Sequence, residues 1–269
     1  MIDGTVGMGG HAQALLEHAG PGVRLLGLDV DPEALRRAGE RLAPFGERVR
    51  LVRASFRDVR DAARRCDILT AQSVLLDLGV SSYQLDESGR GFSFQGDEPL
   101  DMRLDPAAAT TAADLLNTVS EAELARLLFD YGEEPHARRI ARAIARRRPL
   151  ATTADLVAAV RSAVPRHAWP RRLHVATRTF LAIRMAVNDE TGALRHALPE
   201  AAEMLEVGGR LGVISFHSGE DRVVKHTFRA LASGGFEELQ PSPRPPTDDE
   251  VHANPRARSA KLRVLERLA

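Results

Sequence analysis

Asp3-Gly4-Thr5-Val6-Gly7-Met8-Gly9-Gly10-His11 stands almost at the start of the chain, and Asp29 follows Gly9 by 20 residues. The glycines let the backbone turn sharply and approach a ligand closely, because no Cβ intervenes. Taken alone, such a stretch is as compatible with an ordinary tight turn as with a binding loop. Its surroundings sharpen the reading. The apolar run at 23–29 reads as a buried strand, a helix over 11–18 fits between turn and strand, and the strand ends on an acid. A carboxylate in that place accepts hydrogen bonds from both hydroxyls of a ribose, so turn and acid together predict a nucleoside-containing ligand.

Outward from this turn, apolar runs at 49–53 and 74–78 read as further buried strands, alternating with helical patterns at 32–42 and 56–65. Such alternation builds a parallel sheet, whose strands need long crossover connections. Asp31 and Pro32 mark a helix start, with the carboxylate as cap and the proline in the first turn. Asp77 ends the third of these strands, and the carboxyl ends of strands line the ligand crevice in sheets of this kind. Position alone leaves Asp77 open between a ligand contact and a cap for the next turn. Phe56, just beyond the preceding strand, has the flat face needed to stack on an adenine, although its composition equally suits a core.

The alternation then stops. From 105 to 180 the pattern is helical, with Ile140 and Ile144 on one face and Arg138, Arg142 and Arg146 on the other. Strand character returns at 211–216, after a helix expected to end at Gly208-Gly209. A helix at 221–231, a proline-rich loop at 241–246 and a last strand near 261–265 follow. The simplest architecture is an α/β, doubly wound sheet interrupted by an all-helical insert. Residues 1–104 and 181–269 would form the sheet domain, and 105–180 the insert.

The 269 residues hold 37 basic and 37 acidic side chains, a formal charge of zero that conceals an asymmetry. Residues 136–184 carry 12 arginines against one acid, Asp155, a net +11 balanced by −11 elsewhere. Only Lys225 and Lys261 are lysines, as GC-rich coding would produce. That bias explains arginine over lysine, but not why acids avoid one segment. The segment predicts a polyanion partner, with Arg138, Arg142, Arg146, Arg171 and Arg172 as candidate phosphate contacts. No apolar run approaches the about 20 residues of a membrane span, and no signal-peptide pattern opens the sequence, so a soluble cytoplasmic protein is expected. The single cysteine, Cys66, forms neither an internal disulfide nor a thiolate cluster, and no metal-ligand spacing is present, so no metal is expected.

Six ordered blocks, spread nearly end to end, resemble the bacterial small-subunit ribosomal RNA cytosine-N4 methyltransferases. They are residues 3–11, residues 77–86, residues 90–94 with 99–103, residues 178–190 around Ala182-Ile183-Arg184 and Val187-Asn188-Asp189-Glu190, residues 215–225, and residues 254–263. The resemblance implies a Rossmann-like class I methyltransferase sheet whose inserted helical domain helps to bind 16S ribosomal RNA. It implies S-adenosylmethionine as cofactor and N4-methylation of a cytidine in the decoding region. It also implies that Gly9, Gly10 and His11 line the cofactor site, that Asp29 takes the ribose and Phe56 lies by the adenine, and that Asp77 and Gln84 complete the pocket.

The sequence departs from that family in places. Members carry a longer segment ahead of the glycine motif, whereas this sequence opens with Met1-Ile2-Asp3, so the first strand is expected to be nearly missing. Met8 and Gly219 stand where Gly and Leu are usual, and Gly219 is expected to loosen the helix after His217-Ser218.

The implied reaction is in-line displacement at a sulfonium methyl by the exocyclic amine of cytosine. That amine's lone pair is delocalised into the ring, so the enzyme must orient it and accept hydrogen bonds from its N–H groups. Asp77 is the candidate acceptor, with Ser81, Ser82 and Asp101 as rivals; Trp169 or Tyr83 are candidates for stacking on an extruded base. A nicotinamide-dependent dehydrogenase shares the glycine turn and distal acid. A non-catalytic RNA-binding protein, and a methyltransferase for protein or metabolite, are further alternatives. The expected partner is 16S ribosomal RNA within the small subunit, with no membrane, and a monomer or a homodimer is equally compatible.

Overall fold

The computed structural model describes residues 1–171 and 173–269; Arg172, one of the candidate phosphate contacts, lies outside the described residues. The chain forms two compact units, residues 1–79 with 191–269, and residues 80–190.

The first unit is built on a seven-stranded sheet: β1 (Ile2–Asp3), β2 (Leu25–Asp29), β3 (Val49–Arg53), β4 (Ala71–Asp77), β5 (Leu205–Ser215), β6 (Phe236–Glu238) and β7 (Lys261–Arg267). Their order across the sheet is β3-β2-β1-β4-β5-β7-β6, with β1 to β5 parallel and β7 antiparallel to both its neighbours. In chain order, helices α1 (Gly10–His18), α2 (Pro32–Leu42) and α3 (Val59–Arg64) connect the first strands. Then come α4 (Ser82–Asp86), α5 (Ala112–Thr118), α6 (Glu121–Gly132), α7 (Ala137–Arg147), α8 (Thr153–Ala163) and α9 (Thr177–Val187). The series ends with α10 (Glu190–Glu203), α11 (Ser218–Leu231) and α12 (Asp248–Ala253). The helix start read from Asp31-Pro32 is present, the Asp31 carboxylate accepting from Glu33 N at 3.0 Å.

β1 is only two residues long, yet it lies at the centre of the sheet. Ile2 pairs with Leu26 and Val74, and Asp3 with Gly27 and Leu75. Gly4 N to Leu75 O at 2.9 Å and Val6 N to Leu28 O at 2.8 Å carry the bonding into the turn. The strand expected to be nearly missing is therefore short but fully paired.

Two other expectations change. Gly208-Gly209 do not end a helix: α10 stops at Glu203, and β5 already begins at Leu205. The two glycines sit beside an irregularity in the β4–β5 register between Ala71 and Ser73. A Cβ on Gly209 would stand 2.8 Å from Glu206 O and 3.1 Å from Gln72 O, so backbone crowding in a bulged strand demands this glycine. Residues 56–65 divide into a 3-10 turn, Phe56–Asp58, followed by α3. Gly219 lies in the first turn of α11, whose span from Ser218 to Leu231 does not bear on the expected loosening.

The second unit has its own apolar core. Phe92, Leu100 and Met102, ahead of residue 105, and Ala182 and Ile183, beyond residue 180, share one cluster with Leu116, Leu128, Ile140, Ile144 and Leu156. The compact unit is accordingly wider than the 105–180 read from helical periodicity, because non-helical flanks bury side chains in the same core. Asn188 closes its two ends, accepting from Leu104 N at 2.7 Å and donating to Met102 O at 2.8 Å. Helices α4, α5, α6 and α8 each begin with a reciprocal capping box, in which a Ser or Thr and the residue three further on satisfy each other's backbone N–H. Among the described residues no helix is long and apolar enough to cross a membrane.

Helix α7 shows how sequence pattern becomes packing. Ala137, Ile140, Ala141 and Ile144 are buried, while Arg138, Arg139, Arg142, Arg146 and Arg147 are exposed. Ile144→Ala is expected to cost about 2–5 kcal/mol through lost contact and a residual cavity, whereas Arg146→Ala should stay within about 0.5 kcal/mol. Urea denaturation of the two variants checks this, and equal losses would mean that the arginine face is structural.

Candidate active site

Strands β1, β2 and β4 are neighbours, and each ends on an aspartate: Asp3, Asp29 and Asp77. The glycine turn runs over these strand ends. A Cβ on Gly4 would stand 2.5 Å from Leu76 Cδ2 and 3.3 Å from Phe56 Cβ, so only glycine lets the chain pass between them. Thr5 fastens the turn to two strands. Its N–H donates to Asp3 Oδ1 at 3.1 Å, and its Oγ1 accepts from Asp77 N at 2.6 Å. The Asp29 carboxylate is oriented by two backbone donors, Gly7 N to Oδ2 and Asp31 N to Oδ1, both at 2.9 Å. Gly9, at φ 80°, caps α1 without a side chain, so the first turn of α1, beginning Gly10-His11, carries N–H groups with no side-chain acceptor. His11 Nε2 lies 3.2 Å from Asp77 Oδ2.

The structure thus gathers Gly9, Gly10, His11, Asp29, Phe56 and Asp77 around the ends of the parallel strands. Gln84 belongs to the second unit, where it is buried and completes the α4 capping box, its Oε1 accepting from Ser81 N at 2.9 Å. Of the rival acceptors, Ser81 caps α4, and Asp101 holds Arg103 through two bonds of 2.7 Å. Trp169 packs against the second core and donates its indole N–H to Val164 O at 3.0 Å. Arg171, like the arginines of α7, is exposed.

Burial makes this an unusual place for carboxylates. Asp3 is 1% exposed, and burial pushes its pKa up to about 7; the charges of Asp77 and Asp29 add to the rise, against the Thr5 N–H and His11. Burial also raises Asp29, opposed by the N–H groups of Asp31 and Gly7. His11 is raised by its hydrogen bond to Asp77, with burial opposing. Asp3 Oδ2 and Asp77 Oδ1 are buried with no hydrogen-bond partner. Among the described residues no group of three or more His, Cys, Asp or Glu side chains is placed to hold a metal ion. Sequence reasoning quoted Asp3 and Thr5 within the motif but gave them no role; an acid at the end of the strand entering a glycine turn was the available signal.

The model of the MraW methylase family matches residues 1–268. The chain belongs to the MraW methylase family. It is 52% identical to the ribosomal RNA small subunit methyltransferase H of Thermotoga neapolitana, over 99% of this chain and 89% of that protein. It is 48% identical to the protein of the same name from Geotalea uraniireducens, over 99% of this chain and 92% of that one. A solved rRNA methylase from Streptococcus thermophilus overlays with a TM-score of 0.45 and 14% identity, over 100% of this chain and 86% of that one, a likeness too distant to add weight. Family membership makes the chain a methyltransferase and sets aside the dehydrogenase and non-catalytic readings.

The Asp3 shift carries a sign. Between the ordinary value of 3.8 and about 7 the folded state holds a proton that the unfolded state releases, so this residue's contribution to stability falls as pH rises through that window. Asp3→Asn keeps the acceptor for Thr5 N but does not titrate. Its melting temperature, relative to wild type, is expected to rise progressively from pH 4 to pH 7 and then level off. A constant difference across that range would show that Asp3 ionises normally.

Proposed function

We propose that this chain is an S-adenosylmethionine-dependent methyltransferase that N4-methylates a cytidine in the decoding region of 16S ribosomal RNA, acting in the cytoplasm on the small ribosomal subunit. The observation that carries the reading is the set of strand-end carboxylates under a glycine turn, in a chain about half identical to small-subunit rRNA methyltransferases over nearly its whole length.

The residues fit the cofactor. Asp29, held by two backbone N–H groups, keeps lone pairs on both oxygens for the ribose hydroxyls. Phe56 flanks the turn at Gly4, where its ring suits an adenine. The first turn of α1 at Gly10 and His11, and the unpartnered Asp3 Oδ2, offer a donor set and an acceptor for an amino-acid moiety carrying both charges. When bound, S-adenosylmethionine supplies a methyl group on a sulfonium. Asp77 orients the attacking amine: His11 occupies Oδ2, which leaves Oδ1 to accept from an N–H as positive charge develops on nitrogen. In the insert of residues 105–180, Arg138, Arg142, Arg146 and Arg171 grip phosphates, with Arg172 assigned to the same task from sequence.

The direct test is transfer of labelled methyl to small subunits from a strain lacking this gene, followed by nucleoside analysis. Labelled N4-methylcytidine is expected, and transfer to another nucleoside, or none by a folded enzyme that binds cofactor, would overturn the reading. Replacing Arg138, Arg142 and Arg146 with alanine is expected to weaken RNA binding and to lower the slope of log K against log salt by about 2, since fewer counterions are released. An unchanged slope would remove α7 from the RNA interface.

A further inference from the structure

Among the described residues four buried side-chain polar atoms lack a hydrogen-bond partner: Asp3 Oδ2, Asp77 Oδ1, Thr179 Oγ1 and His217 Nε2. Unpaired buried groups are uncommon, and each calls for a reason. Three of the four stand at the carboxyl ends of β1, β4 and β5, strands that are neighbours in the sheet. Asp3 and Asp77 have a place in the reading above; His217 has none.

The geometry fixes what His217 offers. Residue 217 precedes α11 and caps it, Nδ1 accepting from Glu220 N at 3.4 Å. A ring nitrogen that accepts carries no proton, so the neutral ring carries its proton on Nε2 and presents a donor there. Glu220 Oε1 is 3.1 Å from Nε2 but out of line for a hydrogen bond, so it lends charge without taking the proton. Glu220 itself is fixed, its Oε2 accepting from Phe216 N at 3.1 Å. The ring lies against Gly219, where an added Cβ would meet Nδ1 at 3.2 Å and Cε1 at 3.3 Å. Strand register places residue 217 and Asp77 at the same end of neighbouring strands: Asp77 pairs with Ile214, Leu78 N bonds Ile214 O at 2.9 Å, and Phe216 packs by Gly79.

An oriented acceptor and an oriented donor at adjacent strand ends match one kind of base edge. Cytosine presents an exocyclic amine, a donor, next to ring N3, an acceptor. Uracil reverses both, and guanine reverses them as well. We propose that His217 and Asp77 together read the Watson–Crick edge of the target base, His217 Nε2–H donating to ring N3 while Asp77 Oδ1 accepts from the amine to be methylated. The proposal rests on the reading that a cytidine amine is the methyl acceptor. It makes His217 a residue that touches substrate, and it assigns β5 a part in choosing the base. The pattern excludes uracil and guanine; adenine shares it and would have to be excluded by other means.

The test uses two changes that remove the same bond from opposite sides. His217→Asn retains a good cap for α11 while losing the Nε2 donor. It is expected to keep the melting temperature and S-adenosylmethionine affinity of wild type, and to lower turnover on unmodified small subunits by at least about tenfold. Small subunits carrying 3-deazacytidine at the nucleotide the wild type modifies lack the N3 acceptor. They should slow the wild type to a similar degree and His217→Asn no further. Full turnover by His217→Asn, equal rates of wild type on both substrates, or two defects that multiply, would overturn the proposal; the substrate arm decides even if the variant fails to fold. Failure of wild type to methylate any cytidine would instead overturn the underlying reading, and this proposal with it.

Discussion

The passage of backbone at Gly4 between Leu76 and Phe56 is the constraint on which the site depends. A two-residue strand has few hydrogen bonds with which to fix its place, yet β1 is held on both sides, by β2 and by β4, and its turn continues both ladders. Thr5 N reaches Asp3 Oδ1 and Gly7 N reaches Asp29 Oδ2, so a single turn orients two carboxylates from different strands, while Thr5 Oγ1 holds the Asp77 main chain. A larger residue at position 4 would have to push the Leu76 side chain aside and crowd Phe56, directly beneath the turn that orients those carboxylates.

The basic stretch shows a second kind of economy. Its one acid, Asp155, accepts from Ala151 N and Thr152 N in the α8 cap, which accounts for its presence among so many cations. Arg148 donates to Leu116 O and Arg184 pairs with Glu190, so these two belong to the architecture of the second unit. Arg138, Arg139, Arg146 and Arg147 of α7, by contrast, have no acidic partner among the described residues, and Arg142 meets Glu121 only at 3.4 Å, both side chains being exposed. A net charge summed over sequence therefore overstates what a polyanion would meet. The arginines that stand out from the helix opposite Ile140 and Ile144, together with the exposed Arg171, remain available.

Legibility in the sequence followed the range of the interactions. The βαβ alternation, the Asp31 cap and the two faces of α7 rest on local periodicity, and the structure reproduces them. β6, three residues long, and the bulge at Gly209 depend on partners far along the chain, and there local pattern misled: a glycine pair resembling a helix terminus answers to carbonyls of β4 and β5. The extent of the second unit was under-read for a related reason. The segments carrying Phe92, Leu100 and Met102 have no helical period, and only their burial assigns them to that core. In the candidate site, Asp29 and Asp77 were legible because strand ends are. Asp3, Thr5 and His217 were passed over because their importance lies in what they bond, or fail to bond, across the sheet. Gln84 was legible as a residue, while its visible task is the α4 cap.

Electrostatics gives these separate features one direction. Burial raises the cost of ionising Asp3 and Asp29, and for Asp3 the charges of Asp77 and Asp29 add to it. Left to themselves, three such groups favour a proton or a cation in their midst; His11, hydrogen-bonded to Asp77, meets part of that demand. In the proposed reading the remainder is met by the charges of the cofactor, a sulfonium and an ammonium. Asp29 and Asp77 would hold a cofactor bearing that sulfonium charge more firmly than a product without it. Methyl transfer places new positive charge on the amine nitrogen beside Asp77 Oδ1. A site that is strained by its own acids is, on this account, biased toward the charge distribution of the transfer and toward release of its product.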